Sequence, residues 1–250
     1  MTIFSVFGQG EFSVPPIRFL CILISVQLVF IVTHWEKYNT GVLFLSWGYD
    51  ASQYGLSLFY FYTYVVGHQS YQFYVWDGMK FAQLFEYGFY TCCLMSFVMS
   101  GYNLHYAYYV DRTGKQSSFY EAMVPMIAPT LLFSTSLVWA IYSPNHVMEE
   151  DPRAFMWAMG VVFSHTAVHL IIDQMSSTRA SPINKMLLLY ILMAGLAIGG
   201  AFGKEELMAM EVFSAIMTVL HIYFGICIVR QLCQHFNIHA FSLSYLRRKE

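Results

Sequence analysis

Charged residues are scarce in this chain. Asp, Glu, Lys and Arg make up 11% of its 250 residues, against roughly 25% in an ordinary soluble domain. So few charges cannot cover a water-facing surface, which excludes a soluble globular protein. No basic block occurs before the closing Arg247-Arg248-Lys249, and the charge pattern therefore gives no indication of nucleic-acid binding.

Cysteine pairs with metal-binding spacing are also missing. The five cysteines are odd in number, contain no CxxC motif and mostly fall in or beside apolar runs. They are expected to act as small hydrophobic residues rather than as a disulfide framework or a zinc site. The first 16 residues lack both the basic start and the apolar core of a secretory signal peptide, so none is predicted.

Apolar residues are abundant instead, at 57% of the chain. A lipid bilayer accepts apolar runs of about 17–25 residues as helices, because a helix satisfies its own backbone hydrogen bonds. With no internal repeat or long linker, we expect residues 1–250 to form a single all-α, multi-pass transmembrane helix bundle. Seven candidate spans are predicted, at about 17–33, 54–67, 83–102, 122–143, 154–175, 184–203 and 208–229. The second is the weakest and reaches span length only by including Gln53 and the aromatic stretch from Tyr71 to Trp76.

The Lys and Arg residues predict the orientation of the bundle, because basic residues concentrate in cytoplasmic loops. Seven spans place the first, third and fifth connections and the C-terminal tail on one side. Most of the basic residues lie there: Lys37, Arg112, Lys115, Arg179, Lys185, Arg230, Arg247, Arg248 and Lys249. The other side holds Arg18, Lys80, Arg153 and Lys204. We therefore predict a cytoplasmic C-terminus and a lumenal N-terminus.

The stretch HWEKYNTGVLFLSWGYD, from His34 to Asp50, is unusually polar for this chain. One interpretation is an interfacial loop with aromatic and Lys anchors. The alternative is a loop that recognises a lipid headgroup, because an aromatic face beside a carboxylate suits an ammonium ligand through cation–π and ionic attraction. The candidate residues for this second interpretation are Trp35, Glu36 and Tyr38.

Three ionisable residues, His165, His169 and Asp173, are spaced four apart in the fifth predicted span. This spacing places them on one face of a helix. Ionisable groups at membrane depth face the bundle interior or a wet cavity. The stripe could line a polar cavity, form helix-to-helix hydrogen bonds or, as the weakest alternative, bind a metal.

Two further patterns point to functions that we set aside. DGMKFAQ, from Asp77 to Gln83, begins with the Asp-Gly pair that opens the metal site of one class of membrane transferases, but no Asp follows at the required spacing. Asp111-Arg112 after the third of seven spans suggests a receptor, yet the last span has no NPxxY motif. An unrelated transporter or receptor remains a third hypothesis.

Four segments, in the same order, resemble the animal ethanolaminephosphotransferases of the CDP-alcohol phosphotransferase family. They are THWEKYNTGVLFLSWGYD, SFYEAMVPMIAPTLLF (118–133), DQMSSTR (173–179) and HIYFGICIVRQLCQHFNIHAFSL (221–243). The likeness runs from about Phe4 to Leu243. It implies the last step of phosphatidylethanolamine synthesis, in which phosphoethanolamine passes from CDP-ethanolamine to diacylglycerol and CMP is released.

The resemblance also implies a site that this chain does not complete. Family members look like ten-span dimers of the endoplasmic reticulum or Golgi that hold two divalent ions, Mg²⁺ or Mn²⁺, on a D-G-x2-A-R-x8-G-x3-D-x3-D motif. That motif is missing from this chain, because in the family it lies upstream of the segment that corresponds to Met1. The chain is thus expected to retain the last seven spans, to bind no metal and to be inactive alone.

By the same resemblance, Trp35, Glu36, Tyr38 and Asn39 lie near the headgroup end of the active site. The relatives carry uncharged polar residues in place of the stripe of His165, His169 and Asp173, which therefore is not expected to be catalytic. The final spans are expected to form a dimer contact and part of a lipid-facing chamber. The alternative function is a catalytically dead scaffold that pairs with a full-length relative.

Overall fold

The computed structural model describes residues 7, 10–44, 46–76 and 78–240. Asp77 and the basic residues at 247–249 lie outside the described residues. Seven helices of at least 14 residues occur in the described part, and each overlaps one predicted span. They are α1 (Pro16–Thr40), α2 (Ser46–Val66), α3 (Phe81–His105), α4 (Phe119–Tyr142), α5 (Pro152–Met175), α6 (Lys185–Ile198) and α7 (Glu206–Phe236).

Little regular structure other than helix is found in the described residues. Two short antiparallel strands, β1 (Tyr74–Trp76) and β2 (Met79–Lys80), form a hairpin between α2 and α3. Short helical turns occur at His68–Tyr71, Tyr106–Val110, Val147–Glu150 and Gly203–Glu205. The predicted fold class, an all-α multi-pass membrane bundle, is confirmed.

Four helical stretches of the described chain are both long and apolar enough to cross a membrane. They are Pro16–Thr40, Phe119–Tyr142, Pro152–Met175 and Gly203–Phe236. The apolar helix α6 has 14 residues, which at about 1.5 Å per residue is shorter than a bilayer core of about 30 Å.

The polar stretch from His34 to Asp50 is not a continuous loop, contrary to the predicted span boundaries. Helix α1 continues to Thr40, and α2 already begins at Ser46. Gly41 ends α1 in the left-handed conformation, with φ of 81°, and its N–H donates to the Lys37 carbonyl at 2.7 Å. The aromatic stretch from Tyr71 to Trp76 is likewise not an extension of the second span, because α2 ends at Val66 and Gly67 turns the chain with φ of 91°.

The helices pack in pairs, α1 against α3, α5 against α7 and α4 against α6. Among the described residues, the largest fully buried side chain is Trp139, in the last turn of α4. Its ring packs edge-on against Phe155 at 5.2 Å and Tyr190 at 5.7 Å between ring centroids. Burying aromatic side chains of this size contributes most of the packing energy in such a core. Helices α2 and α7 leave large apolar side chains on the outside, as expected of surfaces that face lipid.

The connections between helices gather at two opposite ends. At the first end, the Lys115 N–H donates to the Asn39 carbonyl at 2.9 Å, and Arg179 pairs with Glu121 at 2.8 Å. At the second end, the Glu206 carboxylate accepts hydrogen bonds from Trp139 at 3.1 Å and Ser143 at 2.8 Å. These contacts fix the helix ends relative to one another.

Candidate functional site

Glu36 lies near the first end, on the face of α1 that packs against α3. Its carboxylate accepts hydrogen bonds from the Ser100 hydroxyl at 2.5 Å and from the Asn103 amide at 2.8 Å. The side chain is 2% exposed. Because charge-assisted hydrogen bonds satisfy the carboxylate on both oxygens, the structure places Glu36 in the α1–α3 contact and not on a cavity wall.

Trp35 and Asn39 reach in the other direction, toward α4. The Trp35 indole donates to the Ala122 carbonyl at 2.6 Å, and the Asn39 amide donates to the same oxygen at 3.2 Å. The Asn39 side-chain oxygen accepts from the Tyr108 hydroxyl at 2.9 Å. Pro125 interrupts the adjacent turn of α4, where its missing N–H weakens the helical hydrogen-bond ladder. These two predicted site residues thus join α1 to α4.

Tyr38 alone of the four predicted headgroup residues lines a cavity. Its hydroxyl accepts a hydrogen bond from the Ala180 N–H at 3.3 Å, which holds the loop after α5 against α1. The cavity, of about 510 Å³, is called the polar cavity below. Its lining comprises Lys37, Tyr38, Gly41, Lys115, Gln116, Glu121, Asp173, Gln174, Ser177, Thr178 and Arg179.

The polar cavity carries charges of both signs. Arg179 and Glu121 neutralise each other across the wall, and the hydrogen bond from Arg179 to Glu121 raises the pKa of the guanidinium. No ion pair to Lys37 or Lys115 occurs within the described residues. Those two cations and the Asp173 carboxylate are therefore the charges available to a ligand with both a phosphate and an ammonium group.

The predicted stripe on α5 lines a second cavity of about 560 Å³, called the histidine cavity below. As the spacing predicts, His165, His169 and Asp173 share one face and all three contribute to its wall. The remaining wall residues come from α4, α5, the loop after α5, α6 and α7: Pro125, Ala128, Thr166, Leu170, Ala180, Ser181, Ile183, Asn184, Lys185, Met186, Leu189, Leu220 and Phe224. Asp173 lines both cavities, so the two adjoin at this residue.

The histidines of α5 pack against aromatic residues of α7. The Phe224 ring lies 4.3 Å from the His165 ring and stacks on His169 at 4.8 Å between centroids. His221 lies 5.8 Å from His165 and bonds to the Ser164 hydroxyl at 3.1 Å. In the described chain the stripe therefore forms part of a cavity wall, and its two histidine rings contact α7, while its functional role stays a prediction.

The described residues do not fit the two divalent ions that the family resemblance implies. No three His, Cys, Asp or Glu side chains in residues 7, 10–44, 46–76 and 78–240 are placed to hold a metal ion. The His165 ring lies 4.7 Å from the His169 ring and 5.8 Å from the His221 ring between centroids, with Phe224 packed beside His165.

Comparison with known proteins identifies relatives along nearly the whole chain. No family model matches it. Over 245 residues, 97% of the chain, it is 39% identical to ethanolaminephosphotransferase 1 of Mus musculus and 38% identical to that of Homo sapiens. The chain is a homologue of these ethanolaminephosphotransferases.

The chain spans 61% of the length of the two mammalian ethanolaminephosphotransferases. A more distant relative, an uncharacterized CDP-alcohol phosphatidyltransferase class-I family protein of Dictyostelium discoideum, is 23% identical over 223 residues, 87% of the chain and 57% of its own length. The resemblance seen in the sequence is confirmed by these matches.

Several cavity residues were not singled out as a site from the sequence. Lys115, Gln116 and Arg179 lie in connections far apart in sequence, and Phe224 is one of many apolar residues in α7. In the sequence, Lys115 and Arg179 stand out by their charge in predicted connections, and Arg179 also by its place in DQMSSTR, whereas Gln116 carries no such signal. Their convergence depends on helix pairing, which a single sequence does not specify.

Proposed function

We propose that the chain acts in phosphatidylethanolamine synthesis, in the transfer of phosphoethanolamine from CDP-ethanolamine to diacylglycerol with release of CMP. The observation that carries the proposal is the pair of adjoining cavities that share Asp173, one polar with charges of both signs and one mainly apolar. A headgroup donor and a lipid acceptor need such neighbouring environments. The 39% identity to the mouse ethanolaminephosphotransferase supports this assignment.

The polar cavity suits the phosphoethanolamine part of the donor. Lys37 and Lys115 can each donate charge-assisted hydrogen bonds to phosphate oxygens. The Asp173 carboxylate can accept from the ethanolamine ammonium at the boundary with the histidine cavity. We assign these residues to binding and orientation, which alone can contribute substantially to a transfer between two bound substrates.

We expect this chain alone to bind CDP-ethanolamine without transferring phosphoethanolamine to diacylglycerol. In lipid nanodiscs, we expect saturable binding of radiolabelled CDP-ethanolamine, and we expect no labelled phosphatidylethanolamine when diacylglycerol and Mg²⁺ or Mn²⁺ are added to the chain alone. Lys115→Ala should weaken binding about tenfold, the value of one charged hydrogen bond. Lys204→Ala, an exposed Lys at the second end, is the matched control and should bind normally.

Each part of this expectation can fail separately. Absence of CDP-ethanolamine binding to the intact chain contradicts the proposed function. Product formation by the chain alone contradicts the expectation that it binds no catalytic metal. Competition by CDP-choline in the same assay measures whether ethanolamine or choline is preferred.

The alternative function is a membrane scaffold that pairs with a full-length relative in the endoplasmic reticulum or Golgi. Its specific support is the exposed apolar surface of α7, because only 11% of an apolar 18-residue segment within Gly203–Phe236 is buried in the described chain. A scaffold should co-purify with mouse ethanolaminephosphotransferase 1 and change its rate of transfer in mixed vesicles. Unchanged kinetics and separate elution in detergent would exclude this role.

A further inference from the structure

The connection between α3 and α4 crosses the end of α1 as a short segment, residues 112–116, called the strap below. It follows a π-helical turn, Tyr106–Val110, that continues α3 by five residues. The N–H groups of Thr113 and Gly114 both donate to the Ala107 carbonyl, at 2.8 and 3.2 Å. The strap therefore folds back onto the π-helical turn. Turns of this kind are rare and often occur at functional sites.

The Tyr108 side chain joins the strap to α1. Its hydroxyl donates to the Asn39 side-chain oxygen at 2.9 Å and accepts from the Gln116 N–H at 3.2 Å. Asn39 is buried, and its backbone carbonyl accepts from the Lys115 N–H at 2.9 Å. One hydroxyl is thus bonded both to a buried residue of α1 and to the strap beside Lys115. Removing it takes a partner from each of these groups.

The strap also passes directly against the Tyr108 ring. A Cβ on Gly114 would overlap ring carbons Cδ1 and Cε1 of Tyr108, so a larger residue would have to displace the ring or the strap. The next side chain, that of Lys115, reaches over Gly41 at the end of α1. The close approach of Gly114 to Tyr108 therefore sets the position from which Lys115 reaches its neighbours.

Two residues of the strap, Lys115 and Gln116, line the polar cavity. The Gln116 side-chain amide donates to the Tyr38 carbonyl at 3.4 Å, whereas the Lys115 ammonium carries the positive charge that a phosphate group requires. A backbone that is already fixed on both sides of Lys115 lowers the entropy lost when this side chain binds a ligand. The contacts of Tyr108 thus prepare a cation for the polar cavity.

We propose that Tyr108 is a positioning residue for phosphate binding in the polar cavity, holding the strap so that Lys115 faces the phosphate groups. The inference rests on the proposed function for the identity of the phosphate compound, CDP-ethanolamine. Tyr108 acts through Lys115 and does not itself contact the ligand. Gly114 serves the same arrangement, because it lets the strap lie against the Tyr108 ring.

The experiment is a double-mutant cycle on binding, with the chain in lipid nanodiscs and radiolabelled CDP-ethanolamine or inorganic pyrophosphate as the probe. We expect Tyr108→Phe to weaken binding of either probe about fivefold, the effect of one net hydrogen bond. In a chain that already carries Lys115→Ala, the same substitution should weaken binding less than about twofold, because the group that it positions is gone. Equal losses in both backgrounds indicate a purely structural role for Tyr108 and overturn the proposal.

A second variant leaves the Tyr108 hydroxyl in place. Gly114→Ala should displace the strap by overlap with the ring and weaken binding to a similar extent, again only when Lys115 is present. Gly101→Ala is a matched control, because a Cβ at Gly101 meets nothing within 4 Å. Tyr109→Phe, at an exposed tyrosine of the same π-helical turn, controls for loss of a phenol hydroxyl. Both controls should bind normally, and normal binding by Tyr108→Phe and Gly114→Ala contradicts the proposal.

Amide hydrogen exchange measures the strap without any ligand. The amides of Lys115 and Gln116 should be protected in the unmodified chain and exchange about fivefold faster in Tyr108→Phe and Gly114→Ala, as expected when one net hydrogen bond is lost. The two control variants should exchange like the unmodified chain. Unchanged exchange in both test variants contradicts the proposal, whether or not a ligand binds.

The two probes separate failure of this inference from failure of the proposed function. Pyrophosphate binding with the expected coupling, but no binding of CDP-ethanolamine, leaves this inference standing and contradicts the proposed function. CDP-ethanolamine binding without coupling between Tyr108 and Lys115 contradicts this inference alone. Binding of neither probe contradicts both.

Discussion

At the scale of single residues, Glu36 and His165 have opposite environments. Each is buried, with exposed fractions of 2% and 6%. Both oxygens of Glu36 accept hydrogen bonds from α3, whereas Nδ1 of His165 has no partner in the described chain. A polar group with all its partners inside the protein stabilises the fold, whereas a buried polar group without a partner is unfavourable.

This contrast predicts a large loss of stability when Glu36 is truncated. Glu36→Ala leaves the buried donors of Ser100 and Asn103 without their acceptor, at a cost of roughly 2–5 kcal/mol. Glu36→Gln keeps the volume and one good acceptor and should cost less. Thermal unfolding in detergent measures both. Glu211→Ala removes an exposed carboxylate on α7 and should change stability by less than about 0.5 kcal/mol.

If Glu36→Ala and Glu211→Ala unfold at the same temperature, the α1–α3 contact does not depend on this carboxylate. CDP-ethanolamine binding provides a second measurement. A direct headgroup role for Glu36 predicts that Glu36→Gln loses binding while remaining stable. A purely structural role predicts that binding follows stability in both variants.

At the scale of helices, the sequence predicts where a helix occurs better than it predicts the residues at which that helix begins and ends. Long apolar runs predict each of the seven helices, since burial in lipid or in the bundle requires them. The end of α1 is missed by seven residues, because Glu36 and Asn39 look like loop residues until their hydrogen-bond partners on α3, α4 and the loop before α4 are known. Spacing alone predicts that His165 and His169 share one face of a helix. The contact of Phe224 with both histidines cannot be predicted without knowing that α5 packs against α7.

Gly41 ends α1 in a left-handed conformation that other residues adopt at a cost. Gly41 has φ of 81°, and a Cβ there would meet the Lys115 side chain at 2.6 Å. Gly41→Ala should therefore lower the free energy of unfolding by about 1 kcal/mol through backbone strain and displace Lys115 from the polar cavity. Thermal unfolding and CDP-ethanolamine binding should both weaken.

Gly55, in the interior of α2, is the matched control. A Cβ at Gly55 meets nothing within 4 Å, so Gly55→Ala should be neutral or should stabilise α2 by up to about 1 kcal/mol through helix propensity. Equal destabilisation by Gly41→Ala and Gly55→Ala would show that the left-handed turn at Gly41 is not what limits stability.

At the scale of the whole molecule, the two ends of the bundle differ in their charged residues and in the contacts that those residues make. The first end holds the polar cavity and most of the described basic residues, whereas at the second end Arg18 pairs with the buried Glu86. In the proposed function, the soluble donor CDP-ethanolamine would arrive from the cytoplasm. The position of the polar cavity and the bias of basic residues thus favour the same orientation, with the first end cytoplasmic.

This orientation can be tested with single cysteines in a chain whose five native cysteines are replaced by Ala. Ser117 lies in the connection between α3 and α4 at the first end, and Glu149 lies between α4 and α5 at the second; both are exposed. In intact microsomes, a membrane-impermeant maleimide should modify Ser117→Cys at once, and Glu149→Cys only after detergent is added. The reverse pattern would place the polar cavity in the lumen, out of reach of cytoplasmic CDP-ethanolamine. Modification of both cysteines before detergent would mean that these connections do not lie on opposite sides of the membrane, which contradicts the predicted alternation of the spans.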